Sequence, residues 1–206
     1  MTPLVLIVEW RTPDLLKLCT SSLQKFAPGV KFQVMTGGPG AEHHARVLGE
    51  AREQFKYLGW EQYDPIIFLD TDVVICSKSW WPTLERAFGD GHDVVGGHRS
   101  RGDACQMFWG HTPLLHASML AMRRSLFDFV PNFTAEPKDE DLGHVTRDTA
   151  WQVSLTAKNL KILPYFPVTR GPKFTGLQVG EYYDPALPGW QGITLWSHLW
   201  RGTGMT

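Results

Sequence analysis

The run Ile66-Ile67-Phe68-Leu69-Asp70-Thr71-Asp72-Val73-Val74-Ile75 sets two carboxylates, one residue apart, into an otherwise apolar stretch. An uncompensated carboxylate in a low-dielectric interior is so unfavourable that it normally finds a cation, and a divalent metal is the first candidate. In an extended or turning backbone, Asp70 and Asp72 can reach one ion while Thr71 points elsewhere or offers its amide to a ligand. Hard oxygen donors suit Mg²⁺ or Mn²⁺, which keep coordination positions open for phosphate oxygens such as those of a nucleotide. The alternative is an acidic turn that caps the segment after it.

The segments before the pair have the pattern of a parallel sheet. Leu4 to Val8 is a short strand-forming run, and Thr12-Pro13-Asp14 supplies an N-cap, a proline at the first helical position and an acid in the first turn. Leu15, Leu16, Leu18, Cys19, Leu23 and Phe26 then fall near helical spacing until Pro28-Gly29, and Phe32 to Met35 reads as the next strand. Thr36 to Gly40 reads as a flexible loop, Ala41 to Tyr57 as a helix, and Ile66 to Leu69 as a third strand. Strands alternating with helices predict an α/β fold whose sheet is covered on both faces and binds ligands at the carboxyl ends of its strands, where Asp70 and Asp72 fall. Trp80 to Phe88 follows as a helix, Asp93 to Val95 as a strand, Ser118 to Met122 as a strand and Arg123 to Phe129 as a helix. Asp148 to Lys158 has a helical pattern and Lys161 to Leu163 reads as a last short core strand, while the remaining tail is rich in Gly, Pro and aromatics.

Bulk properties narrow the partners. With 20 basic and 21 acidic residues the formal charge is -1, so no global field draws the protein to nucleic acid or anionic lipid. Leu4 to Val8, followed at once by Glu9 and Arg11, is too short for a signal-peptide core or a membrane span. Cys19, Cys76 and Cys105 are odd in number and have no metal-ligand spacing, which fits reduced thiols used for packing in the cytoplasm. That compartment sets aside the glycosylation sequon Asn132-Phe133-Thr134 and the tripeptide Arg101-Gly102-Asp103. A single domain over 1–206 is expected.

Several segments together resemble the GT-A fold glycosyltransferases, most closely the family 2 enzymes that use nucleotide-diphosphate sugars. Leu6-Ile7-Val8-Glu9-Trp10-Arg11-Thr12-Pro13-Asp14-Leu15-Leu16 is similar to that family's first strand and donor loop, and Leu69-Asp70-Thr71-Asp72-Val73 to its DxD motif. Ser118-Met119-Leu120-Ala121-Met122-Arg123-Arg124-Ser125-Leu126-Phe127 is similar to the strand and helix preceding its acceptor site. The resemblance spans roughly residues 4 to 165 and implies a GT-A domain with a mixed, mostly parallel sheet flanked by helices. Residues 1–75 would form the nucleotide-sugar half, and 76–206 the acceptor half and tail.

Family enzymes carry a Glu-Asp pair at a helix start about fifteen residues before an isoleucine-containing strand, its Asp being the catalytic base. That spacing, counted back from Ile162, lands on Asp148, preceded by Arg147 rather than Glu; Glu140-Asp141 has the dipeptide but lies seven residues earlier. A plain helix cap is the other reading of Asp148, and the two roles can coexist. The resemblance also implies a C-terminal metal-binding histidine, for which His198 in Leu195-Trp196-Ser197-His198-Leu199-Trp200 is the candidate, against packing among tryptophans. Trp109 and His116 are the acceptor-side candidates among aromatics that suit either sugar stacking or packing. Gly37-Gly38-Pro39-Gly40 lacks the Lys-Ser or Lys-Thr of a phosphate-cradling loop and reads as a turn. Thr36 stands where many family members carry an acid that reads the nucleobase.

The expectation is thus a metal-dependent, inverting glycosyltransferase moving a sugar from a nucleotide-diphosphate donor, a UDP-sugar foremost, to an acceptor hydroxyl. Asp70, Asp72 and His198 would hold Mn²⁺ or Mg²⁺, Asp148 would deprotonate the acceptor, and Val8, Glu9, Trp10, Arg11, Asp70 and Thr71 would line the donor. The acceptor would be soluble: a small molecule, a glycan, a protein or a modified nucleic-acid base, met in the cytoplasm, that of the host if the chain is viral. Two other classes remain open. Ile66 to Ile75 is also similar to the first motif of haloacid-dehalogenase-type phosphatases, although here a whole βαβ unit precedes it. A non-catalytic nucleotide-sugar binding module is the other.

Overall fold

The computed structural model describes residues 1–38, 40–55, 57–98, 115–129, 168–170, 177–183 and 192–199. Strand β1 (Leu4–Glu9) leads into helix α1 (Pro13–Phe26), strand β2 (Lys31–Thr36), helix α2 (Gly40–Phe55) and strand β3 (Ile66–Asp70). Strand β4 (Val73–Ile75), helix α3 (Trp80–Gly89), strands β5 (Val94–His98) and β6 (Leu115–Met122) and helix α4 (Arg124–Phe129) follow. Strands β7 (Val168–Arg170), β8 (Leu177–Tyr183) and β9 (Gly192–Leu199) complete the described elements.

Five strands form one sheet in the order β2-β1-β3-β6-β5. β1 pairs in parallel with both β2 and β3, and β6 runs antiparallel to β3 and β5. The expected α/β class, with a mixed, mostly parallel sheet flanked by helices, is therefore observed. β1 and β3 are central, and their continuous apolar residues are buried on both faces, as a helix-covered sheet requires. One face packs Val5, Ile7, Ile67 and Leu69 against Cys19 and Leu23 of α1 and Trp80, Leu84 and Phe88 of α3. The other packs Leu4, Leu6, Ile66 and Phe68 against Leu48 and Phe55 of α2 and Leu126 and Phe127 of α4. β2 is an edge strand of this sheet, and its exposed Lys31 and Gln33 discourage pairing with another chain.

After the Asp70–Asp72 turn the chain leaves the five-stranded sheet, and β4 joins a second, antiparallel sheet, β4-β9-β8-β7. The tail rich in Gly, Pro and aromatics is thus partly sheet, with β8 and β9 paired from Leu177↔Leu199 to Tyr183↔Gly192. The expected 148–158 helix and 161–163 strand lie outside the described residues.

The paired arginines stand at the amino end of β3, where Ile66 lies across from Met122. The Asp64 carboxylate accepts from Arg123 Nη1 at 2.9 Å and from the Arg124 backbone N–H at 2.7 Å, which caps α4. Arg123 Nη2 donates to the Phe88 carbonyl at 2.8 Å, so one acid ties together the ends of α3, β3 and β6. Asp64→Ala should cost about 2 kcal/mol, one cap plus a charge-assisted bond discounted for the 40% exposure of the Asp64 side chain. A lower urea midpoint at unchanged slope would register it.

Candidate active site at the carboxyl ends of the central strands

β1 and β3 end side by side, with Val8 in register with Asp70. The loop Glu9–Thr12 and the turn Asp70–Asp72 consequently emerge from neighbouring strands at the carboxyl edge, where parallel sheets bind ligands. Val8, Glu9, Asp70 and Asp72 are half-buried, Thr71 is buried and Trp10 and Arg11 are exposed.

The first loop is held by its own polar groups. The Thr12 backbone N–H donates to Glu9 Oε1 at 2.7 Å, and the Glu9 carbonyl accepts from Gly37 N–H at 2.7 Å. Glu9, expected to line the donor, thus has its first duty inside the loop. The Arg11 guanidinium lies 4.8 Å from the centroid of the Trp10 ring, a cation–π stack. Arg11 has φ of 51°, left-handed backbone that costs a side-chain-bearing residue about 1 to 2 kcal/mol. The bonds at Glu9 and Thr12 on either side offset that strain, and strained residues held this way cluster at ligand sites.

Gly37 is more than a flexible turn residue. A Cβ there would sit 2.7 Å from Val8 Cγ1 and 3.3 Å from the Glu9 carbonyl oxygen, so only glycine lets the β2–α2 loop close against the end of β1. At Gly38 an added Cβ would collide with the His43 ring.

Helix α1 supports the acidic turn from beneath. Thr12 occupies the N-cap position of α1, yet its side chain makes no cap bond. Its hydroxyl instead exchanges a hydrogen bond with that of Thr71 at 2.9 Å, 59 residues away. About two turns further along, Cys19 Sγ lies 3.9 Å from the Asp70 carbonyl oxygen, and beyond it Ser22 Oγ accepts the Ile75 N–H at 2.9 Å. Burial, and then the charges of Asp70 and Asp72, push the Cys19 thiol up to about 12. Cys19 is therefore a protonated packing group, as expected, and its thiol feels the negative field of the acidic pair. Cys76 is a free, half-buried thiol also pushed up by burial, and Cys105 lies outside the described residues.

The second sheet brings in the C-terminal residue. β4 and β9 pair with Val73 across from His198, so the His198 backbone stands one register position from Asp72. Two hard carboxylates on one turn and an imidazole residue on the adjoining strand make a donor set that fits Mn²⁺ or Mg²⁺ in type. Among the described residues no three His, Cys, Asp or Glu side chains form a complete ligand cluster, and the His198 side chain is not one of those described. His116 lies on β6, beyond the Leu69↔Met119 pair that ends the pairing with β3, and so on the same edge of the sheet as Asp70. Trp109 and Asp148 lie outside the described residues.

No protein-family profile and no curated protein matches the chain. Solved structures do. A197 from STIV is similar over 98% of this chain and 97% of that one, at 16% identity and a TM-score of 0.48. A glycosyltransferase involved in glycosylation of the major capsid of PBCV-1 is similar over 63% of each chain, at 10% identity and a TM-score of 0.45. The galactosyltransferase LgtC, in complex with donor and acceptor sugar analogs, is similar over 75% of this chain and 70% of that one, at 14% identity and a TM-score of 0.47. At these scores the likeness decides nothing about chemistry, which rests on the side chains described above.

Proposed function

We propose that the chain is a GT-A type glycosyltransferase that moves a sugar from a nucleoside-diphosphate donor, a UDP-sugar foremost, to an acceptor hydroxyl with inversion. One observation carries the reading: the Glu9–Thr12 loop and the Asp70–Asp72 turn are tied together at the carboxyl ends of adjacent parallel strands. That juxtaposition suits a nucleotide whose base and ribose lie along one loop and whose diphosphate reaches the other. Asp70, Asp72 and His198 would hold Mn²⁺ or Mg²⁺; the ion, when bound, offsets the charge of the departing diphosphate. Val8, Trp10 and Arg11 would contact the nucleotide, with the Arg11 cation facing its phosphates or base. The side-chain hydroxyl of Thr71 is engaged by Thr12, which leaves its backbone as the donor-facing part.

Asp148 would take the proton of the acceptor hydroxyl, and Trp109 and His116 would meet the acceptor. Residues 1–75 would then serve the donor and 76–206 the acceptor. The free thiols of Cys19 and Cys76 suit a reducing compartment such as the cytoplasm, where the acceptor would be soluble. No helix among the described residues is long and apolar enough to cross a membrane.

The test is a panel of nucleotide sugars screened with Mn²⁺. The cognate donor at about 100 times its Kd should stabilise the protein by about 2.7 kcal/mol, a rise of several degrees in Tm, and should be hydrolysed slowly without acceptor. Metal-dependent binding with no turnover for any acceptor would indicate a binding module instead. Release of phosphate from generic phosphomonoesters, with every nucleotide sugar left intact, would overturn the reading in favour of a phosphatase.

A further inference from the structure

The bond between Thr12 and Thr71 joins two segments that local sequence leaves independent. Thr71 sits between two acidic residues, both half-buried. It is itself buried, at 8% exposure, and a buried hydroxyl is strongly disfavoured unless it is hydrogen-bonded. Its partner at 2.9 Å is the Thr12 hydroxyl, diverted from the cap role that its position at the start of α1 would give it. Thr12 is in turn fixed through its own N–H by Glu9 Oε1. Beyond the turn, at the end of β4, Ser22 of the same helix holds the Ile75 N–H and donates to the Cys19 carbonyl at 2.7 Å. Helix α1 therefore holds both the acidic turn and the strand that leaves it, and Thr12 does so through the hydroxyl of the residue between the two carboxylates.

We infer that Thr12 is a positioning residue: its hydroxyl, bonded to that of Thr71, holds Asp70 and Asp72 in the separation and direction that a divalent cation needs. The inference rests on the metal-binding reading of the acidic pair. Partners that orient metal ligands without touching the metal commonly set affinity by about tenfold or more. A single hydroxyl bond linking two loops belongs at the lower end of that range.

The experiment titrates Mn²⁺ into the whole chain, with and without UDP, and follows loss of the free Mn²⁺ signal by electron paramagnetic resonance. Thr12→Val keeps the shape and removes the hydroxyl; Mn²⁺ Kd should rise about tenfold while the far-UV circular dichroism spectrum is unchanged. Thr12→Ser restores a hydroxyl and should bring Kd back to within about twofold of the parent. Thr20→Val, which removes a bond from Thr20 Oγ1 to the Leu16 carbonyl on the same helix, is the control for helix destabilisation and should leave Kd unchanged. Equal Kd values for the parent and Thr12→Val would overturn the inference, as would a loss of affinity that Thr12→Ser does not rescue. A parent protein that binds no Mn²⁺ under either condition would instead overturn the metal-binding reading beneath it.

Discussion

Asp72→Ala is expected to lower sugar transfer on the order of 10³-fold, because it removes one of two hard carboxylates that would hold the cation offsetting the charge of the departing diphosphate. The size follows from where the residue sits. Asp72 stands half-buried beside the carboxyl ends of β1 and β3, where water is partly excluded and charges act more strongly than in bulk solvent. Added Mn²⁺ should recover only part of the loss, since the missing ligand lowers affinity as well as turnover. Folding should change by less than about 1 kcal/mol, because the substitution is confined to a turn and removes a like charge beside Asp70. Initial rates at several Mn²⁺ concentrations, read beside a urea melt, separate these effects. Full activity at saturating Mn²⁺ would remove Asp72 from the chemistry.

The acidic pair was legible because charge interrupts an apolar run, a conflict visible within ten residues of sequence. The same locality made β1, α1, β2, α2 and β3 readable: each carries its own periodicity, and Pro13 and Pro28-Gly29 mark the ends of α1. What escaped was long-range. Thr12 has the residue type of a cap, and nothing local shows that its hydroxyl serves Thr71 instead. Nothing local shows that the partners of Arg123-Arg124 are Asp64, Phe88 and Trp60, at the end of β3 opposite the acidic turn. Gly37 reads locally as a turn residue, because its close approach to Val8 depends on a strand separated from it by all of α1.

The tail teaches the same lesson. Leu177, Val179 and Glu181 alternate with Gln178 and Gly180, and Ile193, Leu195 and Ser197 with Thr194, Trp196 and His198, but the period of two is diluted by polar residues and glycine. Only pairing with β4 gives these segments a place in the fold, and that pairing also sets His198 across from Val73. The resemblance supplied His198 as a residue; the strand register supplies its position.

Asp148→Asn should reduce kcat by about 10³-fold and leave Mn²⁺ and donor binding intact, the signature of losing a general base rather than a ligand. Asparagine is the informative substitution because it caps a helix about as well as aspartate, so a residue that only starts the expected 148–158 helix would tolerate it. Alanine would confound the two roles. An amide cannot accept the proton of an acceptor hydroxyl, so the acid limb of the parent's kcat against pH, set by protonation of the base, should flatten in the variant. Thermal stabilisation by donor and Mn²⁺ should match the parent, which distinguishes this loss from that of Asp72→Ala. Glu140→Gln and Asp141→Asn complete the comparison, because that dipeptide matches the family's sequence at the wrong spacing while Asp148 matches its spacing after an arginine. Collapse of kcat in Asp141→Asn with Asp148→Asn fully active would move the base seven residues upstream and show that dipeptide identity, not distance to the Ile162 segment, marks the catalytic base.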